Sequence, residues 1–341
     1  MINLTLYTRK GCHLCDDVKA DLDALQETHP HRLAVIDIDS DPALVESYGK
    51  TIPVVEVGPY VLQAPIKKQD LAMTIGAAAD RQRQLKEIGN KQYQKSVQRG
   101  ITFSGSDKFS YWLSRRYMLL VILSLALYVG LPILAPVLIK SGATGPANVI
   151  YKMYSPLCHQ FGFRSFFLFG EQPYYPLVET GLTGADTGLL DFENATGIVH
   201  THDANSVTRL DARNYQGTEA VGFKMALCER DMAIYGAMLL FALIFALTGR
   251  RIPPLHWSLW LLLGLGPIGL DGFSQMISQF EISSLATLLP YRESTPFLRT
   301  FTGFLFGFST AWFGIPYIEE TMRETRQIFI KKLAFIESRG N

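Results

Sequence analysis

"INLTLYTRKGCHLCDD", residues 2–17, decides how the first part of the chain folds. Ile2, Leu4 and Leu6 alternate with other side chains in a run rich in strand formers, which predicts a β-strand over residues 2–8. Cys12 and Cys15 then bracket His13 and Leu14, and Val18, Leu22 and Leu25 recur at helical spacing over residues 16–26. "RLAVIDID", residues 32–39, predicts a second strand. The unit is strand, helix, strand, with a C-x-x-C pair at the turn into the helix. A short helix over 42–48, strands over 53–57 and 60–64, and a helix over 67–78 complete an α/β domain, residues 1–79.

The position of the cysteines carries chemistry. Cys12 falls at a helix N-terminus, where unpaired backbone N–H groups and the helix dipole favour a thiolate. Cys15 lies one turn on, within reach to resolve a mixed disulfide. Asp16 and Asp17 oppose the effect on Cys12. The alternative is half of a structural zinc site, but such a site needs a second ligand pair. The domain holds no other cysteine, and only His29 and His31 remain as candidate ligands. The strand, C-x-x-C, helix context favours the redox reading.

"LYTRKGCHLCDD" with "VIDIDSDPALVESYGKTIPVVEV" resembles the glutaredoxin-like branch of the thioredoxin fold, over roughly residues 1–78. The resemblance implies that Pro53 is a cis-proline facing Cys12 and Cys15, and that Ile52 offers its backbone to a bound thiol substrate. It implies a thiol or disulfide partner, either a protein or a small thiol. Glutathione-using relatives carry a Gly-Gly pair after the last strand. This chain has "VLQAPIKKQDL" there, which counts against glutathione.

The 341 residues carry a net charge of +1, which gives no sign of a nucleic-acid partner. Four apolar runs follow the first domain: 117–139, 232–248, 255–277 and 297–318. Each has the length a bilayer requires, the second at the lower limit of about 17 residues. The expected architecture is therefore a thioredoxin-like α/β domain fused to an all-α polytopic membrane domain of about four transmembrane helices, residues 117–318. Residues 80–116 are polar and basic and read as a cytoplasmic linker helix; residues 319–341 read as a basic cytoplasmic tail. No signal peptide is visible at the start. Arg115 and Arg116, Arg250 and Arg251, and Arg323, Arg326, Lys331 and Lys332 fall on one side of four spans. Both termini are then cytoplasmic, in a plasma (inner) membrane, and residues 140–231 form a long outer loop. Pro132, Pro136 and Pro267 can kink spans, and Gly303 with Gly307 makes a small-xxx-small pair suited to close helix packing.

Rare polar groups converge on the expected outer face. Cys158, His159, Cys228 and Asp231 offer two sulfurs, an imidazole and a carboxylate, a set suited to zinc or copper. Adjacent Cys158 and His159 strain a single tetrahedral site, which places one of them behind the other ligands. A Cys158–Cys228 disulfide is the competing arrangement. Asp271 lies inside a span, with Gln275 one turn on along the same face. An intramembrane carboxylate marks a functional site or a structural pairing, for which Arg164, Arg230 and Arg299 are at hand. "SPLCHQFGFRSFFLFGEQ", "LCERDMAIYGA", "GPIGLDGFSQ" and "STPFLRTFTGFLFG" resemble, in order, the motifs of an uncharacterised bacterial membrane-protein family. That pattern has a second cysteine where this chain has Asp231. Residues 174–224 read as an inserted loop, in which His200, His202 and Asp203 form an H-x-H-D cluster with metal-compatible side chains.

Two functions follow as expectations. One is a membrane-tethered thiol-disulfide oxidoreductase in which Cys12 attacks and Cys15 resolves. The other is a metal- or solute-binding or transport protein with a redox-sensing or delivery domain.

Overall fold

The computed structural model describes residues 2–88, 102–184, 187–199, 207–279 and 291–338. His200, His202 and Asp203 lie outside them. The chain divides into two compact units: residues 1–117 with 320–341, and residues 118–319.

In the first unit, β1 (Ile2–Thr8), α1 (His13–Leu25), β2 (His31–Asp37), α2 (Pro42–Tyr48), β3 (Val54–Val57), β4 (Tyr60–Gln63) and α3 (Lys68–Glu87) follow the expected order. The sheet order is β2-β1-β3-β4, with β2 parallel to β1 and β3 and β4 antiparallel to their neighbours. Alternation explains the layering. Ile2, Leu4, Leu6, Val55 and Val57 face α1 and α3 and pack on Val18, Leu22, Leu71 and Ile75. Tyr7, Ile36, Ile38 and Val54 point to the other face, where Leu44 of α2 covers them. α3 runs nine residues beyond the expected end at Ala78, because residues 79–87 hold strong helix formers without an apolar stripe.

Helix α4 (Gly105–Lys140) begins in the first unit and ends in the second. The second unit continues with α5 (Thr144–Tyr154), β5 (Ser165–Leu168), α6 (Phe192–Thr196), α7 (Val207–Asn214), β6 (Gly217–Thr218), β7 (Gly222–Cys228) and α8 (Glu229–Leu247). Then come α9 (Trp257–Trp260), a π turn (Leu261–Leu265), α10 (Gly266–Gln279) and α11 (Pro296–Glu337). Strands β5 and β6 flank β7, both antiparallel to it. This corrects the expectation of an all-α second domain. "GFKMALC" falls in the stretch read as loop, yet its backbone pairs with β5 and β6 and its side chains pack on α5. The described part of the stretch expected as a long outer loop accordingly holds helices and a three-stranded sheet.

Among the described residues, two helices are long and apolar enough to cross a membrane, Gly105–Lys140 and Glu229–Leu247. The runs expected at 255–277 and 297–318 are helical too, the former broken by the π turn and the latter inside α11. Leu119, Leu123, Leu127, Leu240, Leu243, Leu262, Leu270 and Phe297 are exposed. Such a density of exposed apolar side chains suits hydrocarbon rather than water. At 1.5 Å per residue, α4 spans about 54 Å and α11 about 63 Å, both longer than a hydrocarbon core of about 30 Å.

The tail expected at 319–341 is helix through Glu337 and belongs to the first unit. Ile330 and Ala334 pack beside Tyr48 and Ile52 on the second face of the sheet. The basic residues find carboxylates: Arg323 with Glu46 at 2.8 Å, Arg326 with Asp41 at 3.5 Å, Lys331 with Glu56, and Lys332 with Asp107 at 2.8 Å.

Gly303 and Gly307 pack α11 on α8. A Cβ on Gly307 would lie 2.0 Å from the Ile234 carbonyl oxygen, and one on Gly303 2.7 Å from that of Arg230. The backbones touch because no side chain intervenes. Gly307→Ala is expected to cost about 1–3 kcal/mol through the forced helix separation. Gly314→Ala, where nothing lies within 4 Å, is expected to leave stability unchanged or slightly raised. Thermal melts of both variants in detergent check the pair.

Candidate functional sites

Cys12 is the N-cap of α1, in extended backbone geometry, and its carbonyl accepts from the N–H groups of Cys15 at 3.0 Å and Asp16 at 3.1 Å. Gly11, at φ +77°, makes the turn that brings the chain from β1 into this cap. Arg9 braces the same loop through a two-pronged contact with Asp39 at 2.8–3.0 Å. Cys12 is half-buried and Cys15 is 2% exposed. The two sulfurs form a disulfide. The register of β1 on β3 sets Tyr7 opposite Val54, so Ile52 and Pro53 lie at the sheet end where the Arg9–Cys12 loop begins. The Ile52–Pro53 bond is cis. A half-buried cysteine at a helix N-terminus with a buried cysteine one turn behind it suits attack by the first and resolution by the second.

The second cluster is assembled by the β5–β7–β6 layer. Cys228 ends β7 and caps α8, and Asp231 follows one turn later, with Cys228 Sγ 3.0 Å from Asp231 Oδ2. Cys158 arrives from the turn after α5, its N–H donating to the Tyr154 carbonyl at 3.1 Å. Both thiols are free, and the ligand atoms of Cys158, Cys228 and Asp231 all lie within 4.8 Å of one another. His159 is not part of the group. The Gln160 backbone turns to φ +55°, and the His159 ring is exposed and stacks on Phe161.

Gln160 locks this turn. Its amide donates to the carbonyls of Tyr151 at 3.0 Å and Ala226 at 2.8 Å, tying the "CHQ" segment to α5 and β7, while its own N–H points at Cys158 Sγ, 3.4 Å away. Lys224 is 1% exposed, and its ammonium donates to the carbonyls of Gln160 and Arg213, each at 2.6 Å. Burial pulls the Lys224 amine down to about 7, partly countered by Cys158. The Cys228 thiol has two acceptors in reach, the Cys158 sulfur and Asp231. Its bond to Cys158 holds that group below the usual thiol range, whereas Cys228 itself is pushed well above it by the same bond and by burial.

Asp271 and Gln275 are buried in a separate cluster. Asp271 accepts from Arg230, from Arg292 at 2.7 Å and from the Ser294 hydroxyl at 2.8 Å. Gln275 donates to Glu293 Oε2 at 2.8 Å. Glu293 also receives Arg164 at 2.7 and 2.9 Å, and Arg299. Burial would raise the Glu293 carboxyl, but the Arg164 and Arg299 guanidiniums outweigh it and hold the group below its usual range. Of the three arginines expected near Asp271, only Arg230 pairs with it; Arg164 and Arg299 serve Glu293. Arg292 and Glu293 escaped the sequence reading because they sit in a short polar stretch, "YRES", with no motif around them. Their one signal is a charge pair immediately before an apolar run.

Residues 3–76 match the family model described as "Glutaredoxin-like domain (DUF836)", and residues 219–313 match "Predicted membrane protein (DUF2085)". The chain thus carries a glutaredoxin-like domain followed by a predicted membrane-protein domain. It is 25% identical over 215 residues to an uncharacterized protein of Methanocaldococcus jannaschii, a match that covers 60% of this chain and 95% of the relative. No solved structure matches.

Removing one partner from the Glu293 network leaves buried guanidiniums uncompensated. Glu293→Gln is expected to cost about 3–5 kcal/mol, read as a drop in the thermal midpoint of the full-length protein in detergent.

Proposed function

We propose that the chain is a membrane-attached thiol-disulfide oxidoreductase working through Cys12 and Cys15. The observation that carries this reading is the pairing of a half-buried Cys12 at the α1 N-cap with a buried Cys15 one turn on, joined as a disulfide. In the reduced state the Cys12 thiolate attacks a substrate disulfide, forms a mixed disulfide and releases one substrate thiolate. Cys15 then attacks the Cys12 sulfur, giving up its proton. The second substrate thiolate leaves and the Cys12–Cys15 disulfide forms. Two electrons pass to the substrate, and an external thiol restores the pair.

Pro53 shapes the substrate side, and the Ile52 backbone holds the incoming thiol compound. The partner is a protein or small-molecule thiol, and the absence of a Gly-Gly pair after β4 argues against glutathione. Four spans in a plasma membrane, with both termini cytoplasmic, fit the basic clusters at Arg115–Arg116, Arg250–Arg251 and 323–332. The two long apolar helices and their exposed leucines support that placement.

Cys12→Ser is expected to abolish reduction of a model disulfide, while Cys15→Ser accumulates a covalent mixed disulfide seen as a mass adduct. Unchanged turnover in Cys12→Ser removes the proposal.

A further inference from the structure

We infer that Cys158, Cys228 and Asp231 form a zinc site with one coordination position left to solvent or an exchangeable ligand. This is independent of the chemistry at Cys12 and Cys15. Zinc bonds sulfur at about 2.3 Å and carboxylate oxygen at about 2.0–2.2 Å, which puts tetrahedral donors about 3.5–3.8 Å apart. The three ligand atoms already lie within 4.8 Å of one another, and Cys228 Sγ is 3.0 Å from Asp231 Oδ2. Side-chain adjustments of a few tenths of an ångström to about 1 Å close the set around an ion.

The frame is rigid before any ion arrives. Cys228 and Asp231 share the first turn of α8, and Cys158 is fixed by the Gln160 amide bridging Tyr151 and Ala226. The Gln160 N–H directed at Cys158 Sγ is the kind of bond that orients a ligand sulfur. Donor chemistry selects the ion. Two thiolates suit zinc or monovalent copper, but a carboxylate oxygen is a poor ligand for soft copper and a good one for zinc. His159, exposed and stacked on Phe161, does not complete the sphere. Among the described residues three protein ligands come together and leave one position open, which marks a site that exchanges or presents its ion, in contrast to a closed four-ligand structural site.

The test uses the full-length Cys12→Ser/Cys15→Ser chain in detergent, so that the C-x-x-C pair contributes nothing. It is titrated with Zn2+ and, in parallel, with Co2+ as an absorbing substitute. The expected result is one zinc per chain and, for cobalt, a near-ultraviolet thiolate band with the visible bands of a tetrahedral ion. Cys158→Ser, Cys228→Ser and Asp231→Asn each weaken binding at least tenfold, and Gln160→Met weakens it about 10–100-fold by loosening the Cys158 turn. The cobalt spectrum needs no further variant, so it decides the matter even where a ligand substitution fails to fold. Absence of a thiolate band, binding unaffected by the three ligand variants, or a Cys158–Cys228 disulfide in non-reducing peptide maps overturns the site. Loss of redox turnover with the zinc site intact bears only on Cys12 and Cys15.

Discussion

Backbone contact between α8 and α11 at Gly303 and Gly307 sets much of what surrounds it. Gly303 lies against the carbonyl of Arg230, whose guanidinium reaches Asp271 in α10. One turn earlier on α11, Arg299 pairs with Glu293 and lies 3.5 Å from Glu229 at the start of α8. The same first turn of α8 carries Cys228 and Asp231. Register between two helices therefore determines both where the buried charges meet and how two of the three ligand atoms are presented.

The charge cluster is expensive to build. Three buried carboxylates, Glu229, Asp271 and Glu293, face four arginines, Arg164, Arg230, Arg292 and Arg299. Each ion loses several kcal/mol of hydration, which close geometry only roughly offsets. Such a network contributes little net stability but penalises any arrangement that leaves one member unpaired. Asp271 accepts from Arg230, Arg292 and Ser294 within this network, the kind of pairing the sequence offered beside a functional role. Glu229 differs: it is fully buried, and among the described residues its partner is Arg299, an ion-pair contact at 3.5 Å.

How much of this was legible depended on the distance over which partners act. The strand, helix, strand reading succeeded because alternation and helical spacing are local; β1 at Ile2–Thr8 and α2 at Pro42–Tyr48 fall on the residues expected. The cysteine pair was legible for the same reason. The β5–β7–β6 layer was not: its strands fall in the stretch read as a loop, and the strand character of "GFKMALC" depends on β5 more than 50 residues earlier. Lys224 inside that run was the available hint. Arg164 meets Glu293 across 129 positions, a pairing no local pattern encodes. The Cys158, Cys228 and Asp231 grouping was anticipated from residue chemistry. The exclusion of His159 needed the Gln160 turn.

In the first unit, the terminal stretch of α11 closes the sheet face that α2 leaves uncovered, with Ile330 and Ala334 as the apolar contact and four basic residues paired to carboxylates. The glutaredoxin-like domain is thus completed by the far end of its own chain, while its cysteines sit at the sheet end that Pro53 and Gly11 shape. Whether Cys12 and Cys15 work as a reversible pair is tested most directly by equilibrating the full-length protein in thiol/disulfide buffers of defined potential and quantifying the peptide carrying both residues by alkylation and mass. The account predicts a reversible two-electron transition with a midpoint between about −270 and −120 mV, the span of thioredoxin-fold oxidoreductases. A pair that stays fully oxidised or fully reduced across that range contradicts it.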